Sequence, residues 1–295
     1  MGITPLAASQ SSELGVGAFI ISFLISLFIL IYAKQAGYFR LPFPVKSKPI
    51  SFGYILGAYL IYLSASFFLV PVIYLLIAYI STGSIKGIKL SPLLLGYLQF
   101  FSVLLMAGCI IGYCCLIPSS IRRAIFWGNN PVKLRVFFRS FGMGVLTWLI
   151  CYPLMYFVNL IAGLLSTLLW GEKGVVQVAV QNLSDTRQFP LVFSLMIFAI
   201  VILVPLVEEI LFRGFLQSWL RELVGRKSAI FLVAIFFALV HFAPSQGRGN
   251  LELILSLFVL SCFLGFIYER ERTLFAPLAL HMTFNGISVI VLATS

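Results

Sequence analysis

The sequence predicts an all-α protein, a polytopic membrane bundle of about eight transmembrane helices. Three observations carry this. The chain of 295 residues is 61% apolar and only 10% charged, too little polar surface to keep a domain of this size in water. Uncharged or nearly uncharged runs long enough for a hydrocarbon core of about 30 Å recur near 15–33, 52–80, 93–117, 141–170, 189–207, 251–268 and 274–293. The basic residues alternate from gap to gap. With a short eighth segment at 229–243, fifteen of the twenty Lys/Arg fall in every second gap, which predicts both termini outside and residues 208–228 in the cytosol.

The net charge of +11 would suggest nucleic acid in a soluble protein. Here it comes from short loops: between Leu14 and Gly171 there are eleven Lys/Arg and no Asp or Glu. Such loops sit against anionic lipid, so membrane lipids are the expected partners and nucleic acid is not. The tail MGITPL has no Ser or Thr at position 6 and no basic stretch before Gly15, so neither an N-myristoyl anchor nor a cleaved signal is expected.

The chain divides into an N-terminal four-span region, 1–185, and a second membrane region, 186–295, within one bundle overall. In the first, Pro71 and Pro153 predict kinks, and Gln99 and Asn159 are candidates for bonds between helices. The five cysteines (Cys109, Cys114, Cys115, Cys151, Cys262) lie in apolar runs without a CxxC pair and read as small core residues. The segment 229–243 is short for a span and makes sense only when sheltered by its neighbours.

Polar chemistry is concentrated in the second region, where six of the nine acidic residues lie beyond Asp185, together with both histidines. EEILFR, residues 208–213, follows nineteen residues (Phe189 to Val207) without a charge. A Glu or Arg at the centre of a lipid-facing helix costs about 2.5–3.5 kcal/mol, so Glu208, Glu209 and Arg213 must sit at the end of the span or face the bundle interior. Glu209 and Arg213 stand at i and i+4, the order in which a carboxylate and a guanidinium pair along one face. Glu208 points about 100° away and has no partner in its own segment. From Glu208 to Leu223 the apolar residues recur at helical spacing, which predicts an amphipathic helix leaving the membrane and lying along its surface, anchored by Trp219 and Arg221.

His241 ends the run IFLVAIFFALVH, and His281 lies in FAPLALHMTFNGI with Asn285 at i+4 on the same face. Histidine in a membrane segment faces a bundle interior or a polar cavity, for chemistry or for a single interhelical bond. Brought together, these groups are the parts of an amide hydrolase. Glu208 with His241 would hold and activate water, and His281 with Asn285 would stabilise the oxyanion.

EEILFRGF, Phe237-Ala-Leu-Val-His241 and His281-Met-Thr-Phe-Asn285 resemble the motifs EExxxR, FxxxH and HxxxN of the CPBP family, the CAAX proteases and bacteriocin-processing enzymes. The resemblance covers about residues 189–292 and is similar to that of type II CAAX prenyl endopeptidases. It implies a helical intramembrane endopeptidase of a prokaryotic cell membrane, its pocket toward the cytoplasm and its substrate a protein or peptide near the bilayer that can carry a lipid. By resemblance Glu208, Glu209, His241, His281 and Asn285 are the catalytic set, supported by Arg213 and Phe237. No cofactor is preferred. Zinc, if used, would take Glu208, His241 and His281, but the chain has no HExxH. A non-catalytic binding or immunity protein and a proton-coupled transporter are the competing expectations.

Overall fold

The computed structural model describes residues 5–43, 49–83, 91–171, 178–247 and 249–294, without side-chain placement for 5–16, 81–82, 178–181 and 293. Lys46, Lys48, Lys86, Lys89, Lys173 and Arg248, which enter the charge asymmetry, lie outside the described residues.

Thirteen α-helices are described: α1 (Pro5–Gln35), α2 (Phe52–Ser64), α3 (Val70–Thr82), α4 (Pro92–Leu116), α5 (Ser119–Trp127), α6 (Leu134–Trp170), α7 (Val178–Asp185), α8 (Pro190–Phe198), α9 (Val204–Glu209), α10 (Ser218–Val224), α11 (Arg226–Leu239), α12 (Gly249–Glu271) and α13 (Phe275–Thr294). Some of these join into longer rods, so seven stretches are long and apolar enough to cross a membrane: Gly17–Gln35, Phe52–Ile80, Pro92–Leu116, Leu134–Trp170, Pro190–Val224, Gly249–Glu271 and Phe275–Leu292. The eighth expected segment is α11, a helix of 14 residues. At 1.5 Å per residue it is about 21 Å long, short of the core thickness.

Three wide turns interrupt the rods, at Ala65–Leu69, Ala199–Leu203 and Ile210–Gln217. The first two each end two residues before a proline, Pro71 and Pro205. Proline offers no N–H and its ring crowds the preceding turn, so the helix absorbs an extra residue and passes locally to i→i+5 bonding.

Exposure is inverted relative to a soluble protein. Phe28, Ile80 and Leu116 are 71%, 74% and 86% exposed, while Glu209, Arg213 and Gln217 are 0% exposed. In water this arrangement would be ruinous; against lipid it is the expected partition. Packing crosses between the two sequence regions: α6 packs along α12 and α13, and α4 packs against α8. Close approach is built with glycine: a Cβ at Gly144 of α6 would collide with the Ala276 carbonyl of α13 and lie 2.8 Å from Ala279 Cβ. Asn159 makes the expected bond between helices, to Ser256 Oγ at 3.2 Å.

The segment from Glu208 departs from the surface-lying helix expected for it. It completes the long Pro190–Val224 stretch, and Glu209 to Phe215, with Gln217, are buried on every side. The reason lies on α12, whose polar row faces that of the segment at the same four-residue spacing. Arg213 Nη2 donates to Ser261 Oγ at 2.7 Å, and Gln217 Nε2 donates to the Gly265 carbonyl at 3.0 Å and to Glu269 Oε1 at 3.2 Å. A Cβ at Gly265 would lie 2.8 Å from Gln217 Oε1 and 3.2 Å from Ile230 Cγ2, so a larger residue there would make this amide shift. Polar groups that would have favoured the surface thereby find partners inside. Gly225, at φ 79°, then reverses the chain into α11.

Candidate functional site

Glu208 and Glu209 close α9, His241 follows the C-terminus of α11, and His281 lies in the second turn of α13. Adjacent carboxylates on a helix diverge by about 100°, and here the divergence sorts their partners. Glu209 turns inward, where its Oε1 accepts from Arg213 Nη1 at 3.1 Å and from His281 Nδ1 at 2.8 Å. Its Oε2 is buried without a hydrogen-bond partner among the described residues. The expected i,i+4 pair therefore forms, and it also holds a histidine 72 residues away in sequence.

Glu208 is only partly buried and lies between the two imidazoles. His241 Nε2 is 3.6 Å from its Oε1, and His281 Nε2 is 3.7 Å from its Oε2. Both contacts exceed a direct hydrogen bond.

The other nitrogen of each ring fixes its orientation. His241 Nδ1 meets the Phe237 carbonyl at 2.7 Å. A carbonyl only accepts, so Nδ1 carries the hydrogen and Nε2 is left for Glu208. His281 Nδ1 likewise donates to the Glu209 carboxylate.

Phe237 has a second part. Its fully buried ring lies 4.7 Å beneath the Arg213 guanidinium carbon and is centred 4.7 Å from the His241 ring and 6.0 Å from the His281 ring. It separates the cation from the imidazoles while attracting the cation through its face. The FxxxH spacing thus supplies both a carbonyl and an aromatic wall.

Six of the residues singled out from sequence, Glu208, Glu209, Arg213, Phe237, His241 and His281, meet in one cluster. Asn285 is on the same helix as His281, but its Nδ2 donates to the Ile200 carbonyl at 2.8 Å. Ser261, Gln217 and Glu269 were not foreseen. Their signal was present as an i,i+4 row on α12, but one without charge at two of its three positions.

A catalytic zinc needs three donors converging at about 2.0–2.2 Å. Glu208, His241 and His281 have the right chemistry, but the imidazoles address different oxygens of one carboxylate. Among the described residues no group of three His, Cys, Asp or Glu side chains is arranged to hold a metal ion.

Fold and site together define a polytopic helical membrane protein with a carboxylate–imidazole centre enclosed by its own helices. Residues 190–287 match the family model for Rce1-like proteins, described as type II CAAX prenyl endopeptidase Rce1-like. This match, over about a third of the chain, supports its place in the CPBP/CAAX protease family and, at family level, an intramembrane CAAX-type endopeptidase activity. No curated protein and no solved structure matches the chain.

Proposed function

We propose that this protein hydrolyses a peptide bond close to the membrane surface in a protein or peptide substrate, with Glu208 as general base. The observation that supports this most is the Glu208 carboxylate held between two Nε2 atoms from two other segments, at 3.6 and 3.7 Å. A water bound between Glu208 and His241 Nε2 gives its proton to the carboxylate as its oxygen attacks the scissile carbonyl carbon. The proton then passes to the leaving nitrogen, and the carboxylate is regenerated. His281 stabilises the oxyanion and must do so as an imidazolium, since its Nδ1 hydrogen is committed to Glu209. That form also balances charge, with Arg213 and His281 positive against Glu208 and Glu209. Asn285, one turn further along α13, is the second candidate donor.

The Lys/Arg asymmetry supports a cytoplasmic position for the 208–228 side. The family match supports a CAAX-type substrate, and the apolar surface around the site suits a chain that carries a lipid. In liposomes, wild-type protein should cleave a prenylated CAAX peptide, with the products read by mass spectrometry. Glu208→Gln should lower the rate by about 10²–10⁴, the usual worth of a general base, while its unfolding midpoint stays close to wild type. Cleavage by this variant at the wild-type rate would overturn the proposal.

A further inference from the structure

Helix α4 ends at Leu116 and α6 begins at Leu134, and both are long enough to cross a membrane, so the connection between them lies at a membrane surface. Beside α5, which belongs to this connection, two adjoining hollows of about 670 and about 370 Å³ share Trp127 and Val132 as lining. Each is of the size of a ligand site, roughly 300–1,000 Å³. Arg122 and Arg123 rim the first, Lys133 rims the second, and Phe126 and Phe137 extend an apolar floor beneath them.

The rim is cationic and unneutralised. Arg123 and Lys133 are exposed, and among the described residues no carboxylate pairs with either of them or with Arg122. Arg122 Nη1 donates to the Cys115 carbonyl at 3.2 Å, which anchors the guanidinium at the end of α4 and leaves its other N–H groups available. Glu271, which comes from the end of α12, is already engaged by Arg139 and Arg270 at 3.8 and 3.6 Å. A cationic edge above an aromatic floor, at headgroup level, complements a lipid with a negative phosphate and an acyl chain. A soluble anion would use the edge and leave the floor bare.

The same floor touches the helix that carries His281. The Trp127 ring meets Phe275, the first residue of α13, edge-on with centres 4.8 Å apart, and Phe137 meets that ring at 4.9 Å. The Phe126 carbonyl accepts from Leu274 N–H at 3.1 Å, and Asn130 Nδ2 donates to the Glu271 and Arg272 carbonyls at 3.0 and 3.3 Å. Whatever settles Trp127 and Phe137 therefore bears on the start of α13. We propose that the groove between α5 and α6 binds an anionic phospholipid, its phosphate against Arg122, Arg123 and Lys133 and an acyl chain along Trp127, Val132 and Phe137, and that the bound lipid steadies the first turns of α13.

The test reconstitutes the protein in phosphatidylcholine vesicles with rising fractions of brominated phosphatidylglycerol. The Trp127 signal is the fluorescence difference between wild type and Trp127→Phe, and its quenching should saturate. With the bromine moved to phosphatidylcholine, added phosphatidylglycerol should instead relieve quenching. Arg123→Gln should raise the half-saturating fraction about fivefold, the worth of one basic residue beside an anionic surface, and Arg123→Gln/Lys133→Gln should not saturate. Arg135→Gln, exposed on the first turn of α6 and outside the lining, should shift it less than about twofold. Equal shifts from Arg135→Gln and Arg123→Gln would mean diffuse attraction and overturn the site. Relief of quenching by soluble glycerol phosphate would overturn it too, by assigning the rim to a free phosphate ester.

Hydrogen exchange reads the second half of the proposal. Exchange in residues 274–281 should slow severalfold with phosphatidylglycerol in wild type and not in the double variant. Lipid binding without that slowing would sink the link to α13. Neither readout involves cleavage, so the peptidase reading, tested by Glu208→Gln, stands or falls separately.

Discussion

Arg213→Met tests the charge network beneath the site. The guanidinium is fully buried, donates to Glu209 Oε1 at 3.1 Å and to Ser261 Oγ at 2.7 Å, and lies 4.7 Å over Phe237. Methionine keeps most of the volume and removes the charge. Glu209 then retains His281 Nδ1 as its only described partner. Removing one member of a buried ion pair costs about 3–5 kcal/mol, because the other charge is left in a medium that cannot solvate it. Removing both, as in Glu209→Gln/Arg213→Met, should cost less than the single change, since no uncompensated charge remains. Ser261→Ala removes one charge-assisted bond and should cost about 1.5–3 kcal/mol. Equilibrium unfolding in detergent micelles measures all three. A loss below about 1 kcal/mol for Arg213→Met, the range of an exposed pair, would refute the reasoning. So would a double variant less stable than Arg213→Met alone.

Three further outcomes follow from other parts of the molecule. Gly144→Ala should lower stability by about 1–3 kcal/mol through overpacking against backbone that cannot turn aside, whereas Gly142→Ala, whose Cβ meets nothing within 4 Å, should not; thermal unfolding of the pair separates them. The Tyr38 hydroxyl bonds Thr147 Oγ1 at 2.6 Å, and burial pushes its pKa from 10.0 up to about 12 against the opposing influence of that bond and of Arg270. Its folded pKa is raised, so its stability contribution is complete below pH 10 and is lost as the pH rises toward about 12; Tyr38→Phe should remove this part of the alkaline transition. Cleavage should survive stringent chelation, with metal analysis of the same sample showing substoichiometric zinc; stoichiometric zinc and chelator-sensitive activity would overturn the water-only mechanism.

Much of the fold could be read from hydrophobic run lengths, because in lipid every span must close its own backbone bonds and announces itself by length. Glu209 with Arg213 was readable too, since i,i+4 pairing is local. His281 on Glu209 was not: the contact joins residues 72 apart, and the assignment of Glu209 to Arg213 concealed that one oxygen serves both. The amphipathic pattern after Glu208 misled for a related reason. A polar stripe reads as a wet face unless another helix carries a matching stripe, and Ser261, Gly265 and Glu269 match it without looking unusual in sequence. The bond from Asn285 to the Ile200 carbonyl was not readable either, because it joins residues 85 apart.

Helix α11 rises about 21 Å, about 9 Å less than a typical hydrocarbon core. Its outer side chains Phe231, Phe236 and Leu239 are exposed, and mismatch of this size favours a local pinch of the bilayer along this flank. A pinch shortens the journey of a polypeptide from solvent to His241. It admits a loose, extended tail more readily than a folded domain, so that on the reading above suppleness of the chain would be tested before any side chain is inspected.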